Sequence, residues 1–281
     1  MSTFSKRYLL PVLGLLILLL LGGCGKTEAN GLTVVFPNLG AADCAILMDA
    51  NCTVVIDTGE TEDAETILNV LREYGRDSID LLVISHYDKD HVGGAAKLLD
   101  ALTVHRVIGS SYPKESEEYA AYLAALKTAG LTEEHLAQPE TFNISGDLIL
   151  TVSPPEQASY PEDESNNASV AVAVQYGNTR MLFTGDAMEE RTQEILSEFS
   201  GSFDLIKLPH HGREKDTAAL LSDAFGTDAT AYVVTSSKKE PEHKKLQKAV
   251  SGTLYRIRDG AVTAFSDGTT VKITQSGEGN S

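Results

Sequence analysis

The feature that most constrains this chain is a short apolar run, 79–84, that leads directly into a group of ionisable side chains. A continuous apolar run of this length is typical of a strand buried on both faces of a sheet. Two imidazoles and two carboxylates follow within six residues, at His86, Asp88, Asp90 and His91. Buried without partners they would each cost several kcal/mol, so they are either solvated or bound to a ligand. The order His-x-Asp-x-Asp-His before Gly-Gly favours a metal site over a solvated loop.

Three further strand-like runs end in side chains of the same kind. Asp57 ends one run, Asp186 follows a second, and the adjacent His210 and His211 follow a third. Each signal is weak alone, because Thr-Gly-Asp is an ordinary turn and a His pair is usually a surface or core feature. Ligands of open α/β sheets bind at the carboxyl ends of the strands, so we expect these side chains to converge at one edge of a sheet.

Strand-like and helix-like segments alternate along the chain, which predicts one mixed α/β (α+β) domain over residues 32–275. The acidic, proline-containing stretch 154–167 is predicted to be a surface loop that enters the site. Strands are predicted at 33–36, 45–48, 53–57, 79–84, 104–108, 148–152, 169–176, 180–184, 203–208 and 231–235, with a strand pair around 267–268. Helices are predicted at 61–74, 94–102, 115–129, 188–199, 217–224 and 243–250.

The N-terminus has the layout of a bacterial lipoprotein signal. Lys6 and Arg7 precede a largely apolar stretch, 9–21, that is short for a bilayer span of roughly 20 residues. The tetrapeptide that ends at Cys24 resembles a lipobox, which predicts a signal peptide over 1–23 and a lipid on Cys24. A polar tether at 24–31 and a short tail at 276–281 would flank the domain. The protein is therefore expected outside the cytoplasm, anchored to the cell membrane; the alternative is an uncleaved signal anchor with an incidental cysteine.

The charge balance argues against one class of partner. Forty acidic residues against 23 basic ones give a formal net charge of −17. Such a surface repels a phosphate backbone at long range, which disfavours broad, non-specific binding of nucleic acid. A local basic patch is still compatible with this charge. The lysines between 238 and 248 form either such a patch or an ordinary solvated helix face.

The two remaining cysteines flank a predicted hairpin turn at 49–51. An offset toward Cys52 leaves Cys44 and Cys52 poorly opposed for a disulfide. Two buried free thiols are therefore expected.

Taken in order, these motifs resemble those of metallo-β-lactamase-fold hydrolases. The closest likeness is to the hydrolase domain of ComEC-type DNA-uptake competence proteins, which typically have Asp at the position of Asp88. That group also has an Asn-x-Ser before a strand, as at 167–169, and a segment similar to 206–212. Residues 38–43 resemble a degenerate form of its opening Gly-x-Gly-Asp turn. The likeness runs from about residue 32 to about residue 274, and it departs from the group at Arg213 and in the segment 240–243.

The resemblance implies an αββα sandwich that holds two divalent metal ions, Zn²⁺ or Mn²⁺, with Asp186 as the bridging ligand. The first ion is expected to bind His86, Asp88 and Asp186. An aspartate in place of an imidazole makes this first site harder, so Mn²⁺ becomes plausible beside Zn²⁺.

The second ion is expected to bind Asp90, His91, Asp186 and His210. His211 is a substitute ligand or a supporting group, and the sequence leaves this choice open. Two ions would hold a bridging hydroxide as the nucleophile, and Asp90 would accept a proton; Asp90 and Asp186 are thus the predicted catalytic residues.

Five further residues are predicted to surround the metal ions. Asp57 is expected to support the ligands, unless it is a plain turn-capping residue. Asn167 and Ser169 either bind a substrate oxygen or are turn residues. Lys207 and Arg213 flank the His pair and are expected to pair with a phosphate.

These expectations define three functional hypotheses. The first is a phosphodiesterase that acts on nucleic acid or on a cell-envelope polymer, so the expected partners are an anionic phosphodiester, possibly DNA, and the membrane through the lipid. No protein partner is inferred. The second is hydrolysis of a lactam or thioester at the same metal site, and the third is a lipoprotein that binds without catalysis.

Overall fold

The computed structural model describes residues 30–161 and 164–277. The predicted signal peptide, the lipidation site at Cys24, and most of the tether and tail lie outside these residues and stay predictions. None of the helices within the described ranges is long and apolar enough to cross a bilayer.

Sixteen strands and eight α-helices are found in the described part of the chain. The strands are β1 (Leu32–Phe36), β2 (Ala45–Met48), β3 (Thr53–Ile56), β4 (Ser78–Ile79), β5 (Leu81–Ile84), β6 (Thr103–Val104), β7 (Val107–Gly109), β8 (Glu140–Ser145), β9 (Leu148–Ser153), β10 (Ala171–Tyr176), β11 (Thr179–Phe183), β12 (Leu205–Lys207), β13 (Ala231–Val234), β14 (Thr253–Arg256), β15 (Val262–Ser266) and β16 (Val271–Gln275). The helices are α1 (Ala64–Glu73), α2 (Lys89–Val92), α3 (Ala95–Ala101), α4 (Glu117–Ala129), α5 (Glu164–Asn167), α6 (Glu189–Glu198), α7 (Lys215–Phe225) and α8 (Leu246–Ala249).

The strands form two seven-stranded sheets. Their orders are β16-β15-β1-β2-β3-β5-β7 and β14-β13-β12-β11-β10-β9-β8, and β4 pairs with β6 separately. Strands β3, β5 and β7 run parallel, as do β11 to β14, whereas the other pairs in the two large sheets are antiparallel. Parallel runs place successive strand ends on the same rim, which is where the polar motifs follow.

Side-chain alternation along the strands explains how the layers pack. Val34 and Phe36 of β1 face the second sheet, where Phe36 stacks on Phe183 with ring centroids 5.9 Å apart. The neighbouring Val35 points to the opposite face, into a core shared with α1, α3 and α4. On the second sheet, Leu182 faces α6, α7 and α8 in the same way. This is the predicted αββα sandwich.

The sequence missed two strands, β8 and β14, and both lie at the edges of the second sheet. Their residues are mostly exposed or half-buried, so neither has the continuous apolar run that marks a central strand. The predicted surface loop 154–167 also differs in part, because Glu164–Asn167 forms the short helix α5. Cys44 and Cys52 are buried free thiols, as predicted.

Gly93 and Gly94 let the His/Asp segment pack closely against the turn that follows β3. A Cβ on Gly94 would lie 2.2 Å from the carbonyl oxygen of Thr58, and one on Gly93 would lie 2.7 Å from the backbone nitrogen of Thr61. These approaches are shorter than van der Waals contact, so only glycine fits at either position. The Gly-Gly pair thus has a steric role beside the predicted metal site.

A buried arginine connects α6 to the strands that precede the site. The guanidinium of Arg191 donates to the carbonyl oxygen of Ser169 at 2.9 Å, to Glu194 at 2.9 Å, and to both Ser153 oxygens at 2.7 Å. The arginine is fully buried and fixes the backbone of Ser169 beside Asp186.

We expect Arg191→Met to lower the free energy of unfolding by about 3–5 kcal/mol, because it leaves the buried carboxylate of Glu194 without its charged partner. The matched control is Arg72→Met, which removes an exposed ion pair with Glu65 and should cost about 0–1 kcal/mol. Urea unfolding of both variants measures the difference. Equal losses for the two variants would contradict the role given to Arg191.

Candidate metal centre

The predicted site residues meet at one rim of the sandwich. Asp57 follows β3, the His/Asp segment follows β5, Asp186 follows β11, and His211 follows β12. Because β3 is parallel to β5, and β11 to β12, these loops leave the sheets on the same side. The convergence expected from the strand ends is present.

The centre of the rim is a buried set of imidazoles and carboxylates. His91 Nε2 and His211 Nε2 each lie 3.3 Å from Asp186 Oδ2, and His211 Nε2 lies 3.0 Å from Asp90 Oδ2. Donor atoms of Asp43, His91, Asp186 and His211 all lie within 4.8 Å of one another. Nitrogen and oxygen donors at such spacing can surround one divalent ion.

Each imidazole is oriented by a bond on its other ring nitrogen. His91 Nδ1 lies 2.9 Å from Asp57 Oδ2, and His211 Nδ1 lies 2.9 Å from the carbonyl oxygen of Thr235. Asp57 is itself held by the backbone nitrogen and the hydroxyl of Ser85, both at 2.7 Å. These bonds direct both Nε2 atoms toward Asp186, which is the usual arrangement behind metal-binding histidines.

His86 and Asp88 form a second, more open group beside the first. The His86 ring centroid lies 4.1 Å from that of His91, and His86 Nε2 lies 3.8 Å from Asp88 Oδ1. Burial and the nearby charge of His91 lower the pKa of His86 to about 4. The imidazole is therefore neutral at physiological pH, the form that ligates metals. Asp88 is engaged by Lys114 and Ser165.

The fit to a metal is supported by polar atoms that lack hydrogen bonds. Within the described residues, the buried His86 Nε2 makes no hydrogen bond, and His91 Nε2 has only its ionic contact with Asp186. A buried unpaired nitrogen costs about 1–3 kcal/mol, so its persistence calls for a ligand. Imidazole with carboxylate suits Zn²⁺ and, with more oxygen donors, Mn²⁺. The residues present fit a divalent metal ion.

The structure distinguishes the two adjacent histidines that the sequence could not separate. His211 is buried and contributes Nε2 to the cluster, whereas the backbone nitrogen of His210 donates to Asp186 Oδ1 at 3.1 Å. Both residues have positive φ angles, 47° for His210 and 52° for His211. This tight turn points the two rings in different directions, with centroids 6.1 Å apart.

Lys207 differs from its expected role as a phosphate contact. Its side chain is buried, and its Nζ forms an ion pair with Asp43 and donates to the carbonyl oxygen of Gly185 at 3.0 Å. The nitrogen also lies 3.6 Å from Asp186 Oδ1. Lys207 is the last residue of β12 and is buried, so its ammonium is not exposed to an incoming ligand.

Asn167 and Ser169 also differ from a substrate-binding role, because both are buried in structural bonds. Asn167 Oδ1 accepts from the backbone nitrogens of Met188 and Arg191, which begin helix α6. Ser169 Oγ accepts from the backbone nitrogen of Asp186 at 3.0 Å. Of the alternatives left open, the one that makes them turn and capping residues describes their geometry.

Arg213 is the one predicted phosphate contact that remains at the rim. Its side chain is 35% exposed, pairs with Glu240, and lies 3.5 Å from His210 Nε2. It is thus available to a ligand only in competition with Glu240.

Sequence reasoning gave no role to Asp43, Lys114 or Thr235. Asp43 was noticed as the end of a degenerate turn, and its carboxylate binds Lys207 and Thr235. Its oxygens lie 3.8 Å from His91 Nδ1 and 3.5 Å from His211 Nδ1. The degenerate turn at 38–43 was the only sequence signal for any of these three residues. Each of them binds partners that are distant along the chain, and such contacts leave no local pattern.

Electrostatics within the cluster favour ionised carboxylates. Burial opposes ionisation of Asp186, but the imidazoles of His91 and His211 outweigh it and lower the pKa of Asp186 well below its usual value. The same holds for Asp90. Burial would raise its pKa, but the hydrogen bond with His211 outweighs burial and lowers the pKa. The reciprocal effect raises the pKa of His91 and His211 against their burial, mainly through Asp186.

Comparison with known proteins agrees with this geometry. A model of the metallo-beta-lactamase superfamily matches residues 38–235. ComE operon protein 3 of Bacillus subtilis is 30% identical over 189 residues, a match covering 66% of this chain and 24% of that protein. Recombination protein 2 of Haemophilus influenzae is 26% identical over 192 residues, covering 67% of this chain and 22% of that protein. The chain thus spans about a quarter of the length of these relatives.

Two solved structures are similar in fold. YhfI from Bacillus subtilis, a metallo-beta-lactamase fold protein, superposes with a TM-score of 0.52 at 12% identity, covering 81% of this chain and 96% of that one. Zinc-bound PqqB from Methylobacterium extorquens gives a TM-score of 0.52 at 13% identity, covering 80% and 97%. At such identities the likeness is one of fold alone.

We expect His211→Ala to weaken metal binding far more than His210→Ala, because only His211 directs a ring nitrogen at Asp186 and Asp90. The loss should exceed the roughly 10–100-fold that removal of an outer contact costs, while His210→Ala stays within that range. Competition with a chromogenic chelator for Mn²⁺ and Zn²⁺ measures both. A larger loss for His210→Ala would reverse the assignment.

Metal affinity should rise with pH between about pH 6 and 8, because His91 and His211 have raised pKa values in the metal-free protein and must release protons to bind a cation. The affinity should change by about tenfold per pH unit for each proton released. The same chelator competition, repeated across this range, gives the slope. Affinity that is flat over the whole range would refute the coupling.

Proposed function

The chain belongs to the metallo-beta-lactamase superfamily, and from this membership we propose that it is a metal-dependent hydrolase that cleaves phosphodiester bonds. The observation that carries the proposal is the approach of two imidazole Nε2 atoms to one carboxylate oxygen, that of Asp186, in a buried rim. A module that binds its partner without a metal has no need for ligating atoms at this spacing.

We propose that His91, His211, Asp90 and Asp186 hold one divalent ion and that His86 and Asp88, with Asp186, form the place for a second. Asp57 would keep His91 in the tautomer that presents Nε2, since it is bonded to Nδ1. Such ions would acidify a bound water and neutralise developing charge on the phosphoryl oxygens.

Asp43 is better suited to supporting the ligands than to ligating. Its carboxylate lies on the Nδ1 sides of His91 and His211, behind the edges that face Asp186. Both of its oxygens are already bonded, one to Lys207 and the other to Thr235. We infer that Asp43 and Lys207 form a buried ion pair that supports His91, His211 and Asp186 from behind.

Asp90 is the residue that we assign to proton transfer. Its side chain is 21% exposed, so it contacts solvent while it also bonds His211 at 3.0 Å. Its lowered pKa keeps it ionised at neutral pH, the form that a proton acceptor requires. Because so acidic a carboxyl group is a weak base, bound metal ions would have to supply most of the acidification of an attacking water.

Three observations favour a phosphodiester over a lactam or thioester. One of the relatives named above is a recombination protein, which supports a nucleic-acid-like phosphodiester as the substrate. As the family resemblance implies, many lactam hydrolases with this fold have an imidazole at the position of Asp88. A cation, Lys114, lies beside Asp88 at the open side of the site.

The predicted lipid anchor, the location of the protein and its substrate are also part of this proposal. We propose that Cys24 is lipidated and that the enzyme acts outside the cytoplasm at the membrane, where its substrate is DNA or a phosphodiester of the cell envelope. Arg213 is the candidate for a second phosphate contact at the rim.

The decisive test is turnover of bis(p-nitrophenyl) phosphate in the presence of Mn²⁺ or Zn²⁺. His86→Ala and Asp186→Ala should each lower kcat/KM by roughly 100-fold or more, because a catalytic metal contributes several kcal/mol to the transition state. The matched controls are His105→Ala and Asp100→Ala, which change exposed residues of the same types and should leave turnover intact.

Two results would contradict the proposal. Hydrolysis of nitrocefin without hydrolysis of the phosphodiester would indicate lactam chemistry at the same site. Metal binding without turnover of any substrate class would indicate a binding protein.

A further inference from the structure

A cleft of about 740 Å³ opens beside His86 and leads away from the buried ligands. One wall is the segment after β7, with Tyr112 and Lys114, and the other includes Gln157, Ser165 and Ala168. This volume lies within the range of about 300–1,000 Å³ found for sites of small organic ligands. The cleft is therefore large enough for a substrate group next to the reacting centre.

The two walls are tied together, so the cleft is preformed. The hydroxyl of Tyr112 donates to the carbonyl oxygen of Gln157, and the Tyr112 ring lies 5.8 Å from that of Tyr160. At the base, the hydroxyl of Ser110 donates to the carbonyl oxygen of Ala168 at 2.8 Å. A ligand entering the cleft would meet walls that are already ordered, which lowers the entropic cost of binding.

Lys114 is the cation among the residues that line this cleft. Its ammonium contacts Asp88 and lies 3.2 Å from Ser165 Oγ. An ammonium has three N–H donors, so one remains for an oxygen of an incoming ligand beyond these two bonds. The side chain is 36% exposed, and the Asp88 oxygen that it contacts lies 3.8 Å from His86 Nε2, near where a phosphoryl group would have to lie to react.

Resting on the proposed function, we propose that this cleft binds one phosphodiester unit that carries a planar ring. Lys114 would donate to a non-bridging phosphoryl oxygen, and the Tyr112 ring would contact the planar group. The substrate is then a small phosphodiester or the unpaired end of a strand, and not a duplex.

Charge also disfavours a duplex. Double-stranded nucleic acid is bound through several phosphates at once, typically about 6–10 contacts. The cleft offers one lysine together with the carboxylates of Glu115 and Glu164, on a chain with a net charge of −17. One phosphate near one ammonium matches this surface, whereas a row of phosphates would be repelled.

The test uses the p-nitrophenyl ester of thymidine 5′-monophosphate, which joins one phosphodiester to a planar base. Lys114→Met should raise KM by about tenfold or more, since a charge-assisted hydrogen bond is lost, while kcat and the metal content stay near the wild-type values. Lys114→Arg should recover part of the affinity. The matched control is Lys244→Met, which removes an exposed lysine that does not line the cleft.

A second variant tests the cleft without altering charge. Ala158 is exposed and lines the cleft, so Ala158→Trp should fill it and raise KM for the same ester while the fold is kept. Single-stranded oligonucleotides and the free ester should both be cleaved. The ratio of their kcat/KM values shows whether strand ends or small phosphodiesters are the preferred substrate. A kcat/KM on a duplex equal to that on the single strand of the same sequence would overturn the proposal that the cleft excludes a duplex.

Failure of this inference is distinguishable from failure of the proposed function. If Lys114→Met and Lys244→Met have the same KM, or if Lys114→Met lowers only kcat and metal content, the cleft assignment is wrong and the hydrolase stands. If the wild-type protein cleaves no phosphodiester, calorimetric titration with thymidine 5′-monophosphate decides: binding that Lys114→Met abolishes supports the cleft, and no binding overturns it.

Discussion

The structure depends on one electrostatic constraint, the burial of several carboxylates and imidazoles at a single rim. Asp186 and Asp57 are both nearly inaccessible to solvent, and so are His91 and His211. Charges removed from water need partners that are fixed in place. Within the cluster, each carboxylate lies beside an imidazole, so part of the need for charged partners is met by the cluster itself. The hydrogen-bonding capacity that remains, on Nε2 of His86, points to where a cation belongs.

The sandwich supplies the rigidity that this constraint requires. Parallel strands deliver the site residues at their carboxyl ends, and backbone groups fix the side chains after that. The carbonyl of Thr235 orients His211, and the backbone nitrogen and hydroxyl of Ser85 hold Asp57, which in turn orients His91. Each ring nitrogen that faces Asp186 therefore has its opposite edge bonded. The geometry of the cluster is therefore set by the strand ends and by these bonds to the neighbouring backbone.

The buried and open halves of the rim have different tasks. His91 and His211 lie deep, where the dielectric is low and the attraction for a cation would be strong. His86 and Asp88 lie at the border between this centre and the cleft lined by Lys114. Asp88 is thus shared between a place for metal and a cation of the cleft. The two halves of the rim therefore meet at one carboxylate, that of Asp88.

The sequence by itself determined the mixed α/β pattern and the strand-end positions of most site residues, because apolar runs and strand-end motifs depend on nearby residues. The αββα sandwich was implied by the family resemblance of those motifs. It predicted most of the strands, the free thiols and the convergence of His86, His91 and Asp186. It did not find the edge strands β8 and β14, whose half-exposed side chains give no apolar signal. Only the tertiary structure shows that His211, and not His210, turns its Nε2 toward Asp186, and that Lys207 is buried against Asp43. Those choices depend on φ angles and on contacts across more than 100 residues, which local pattern cannot encode.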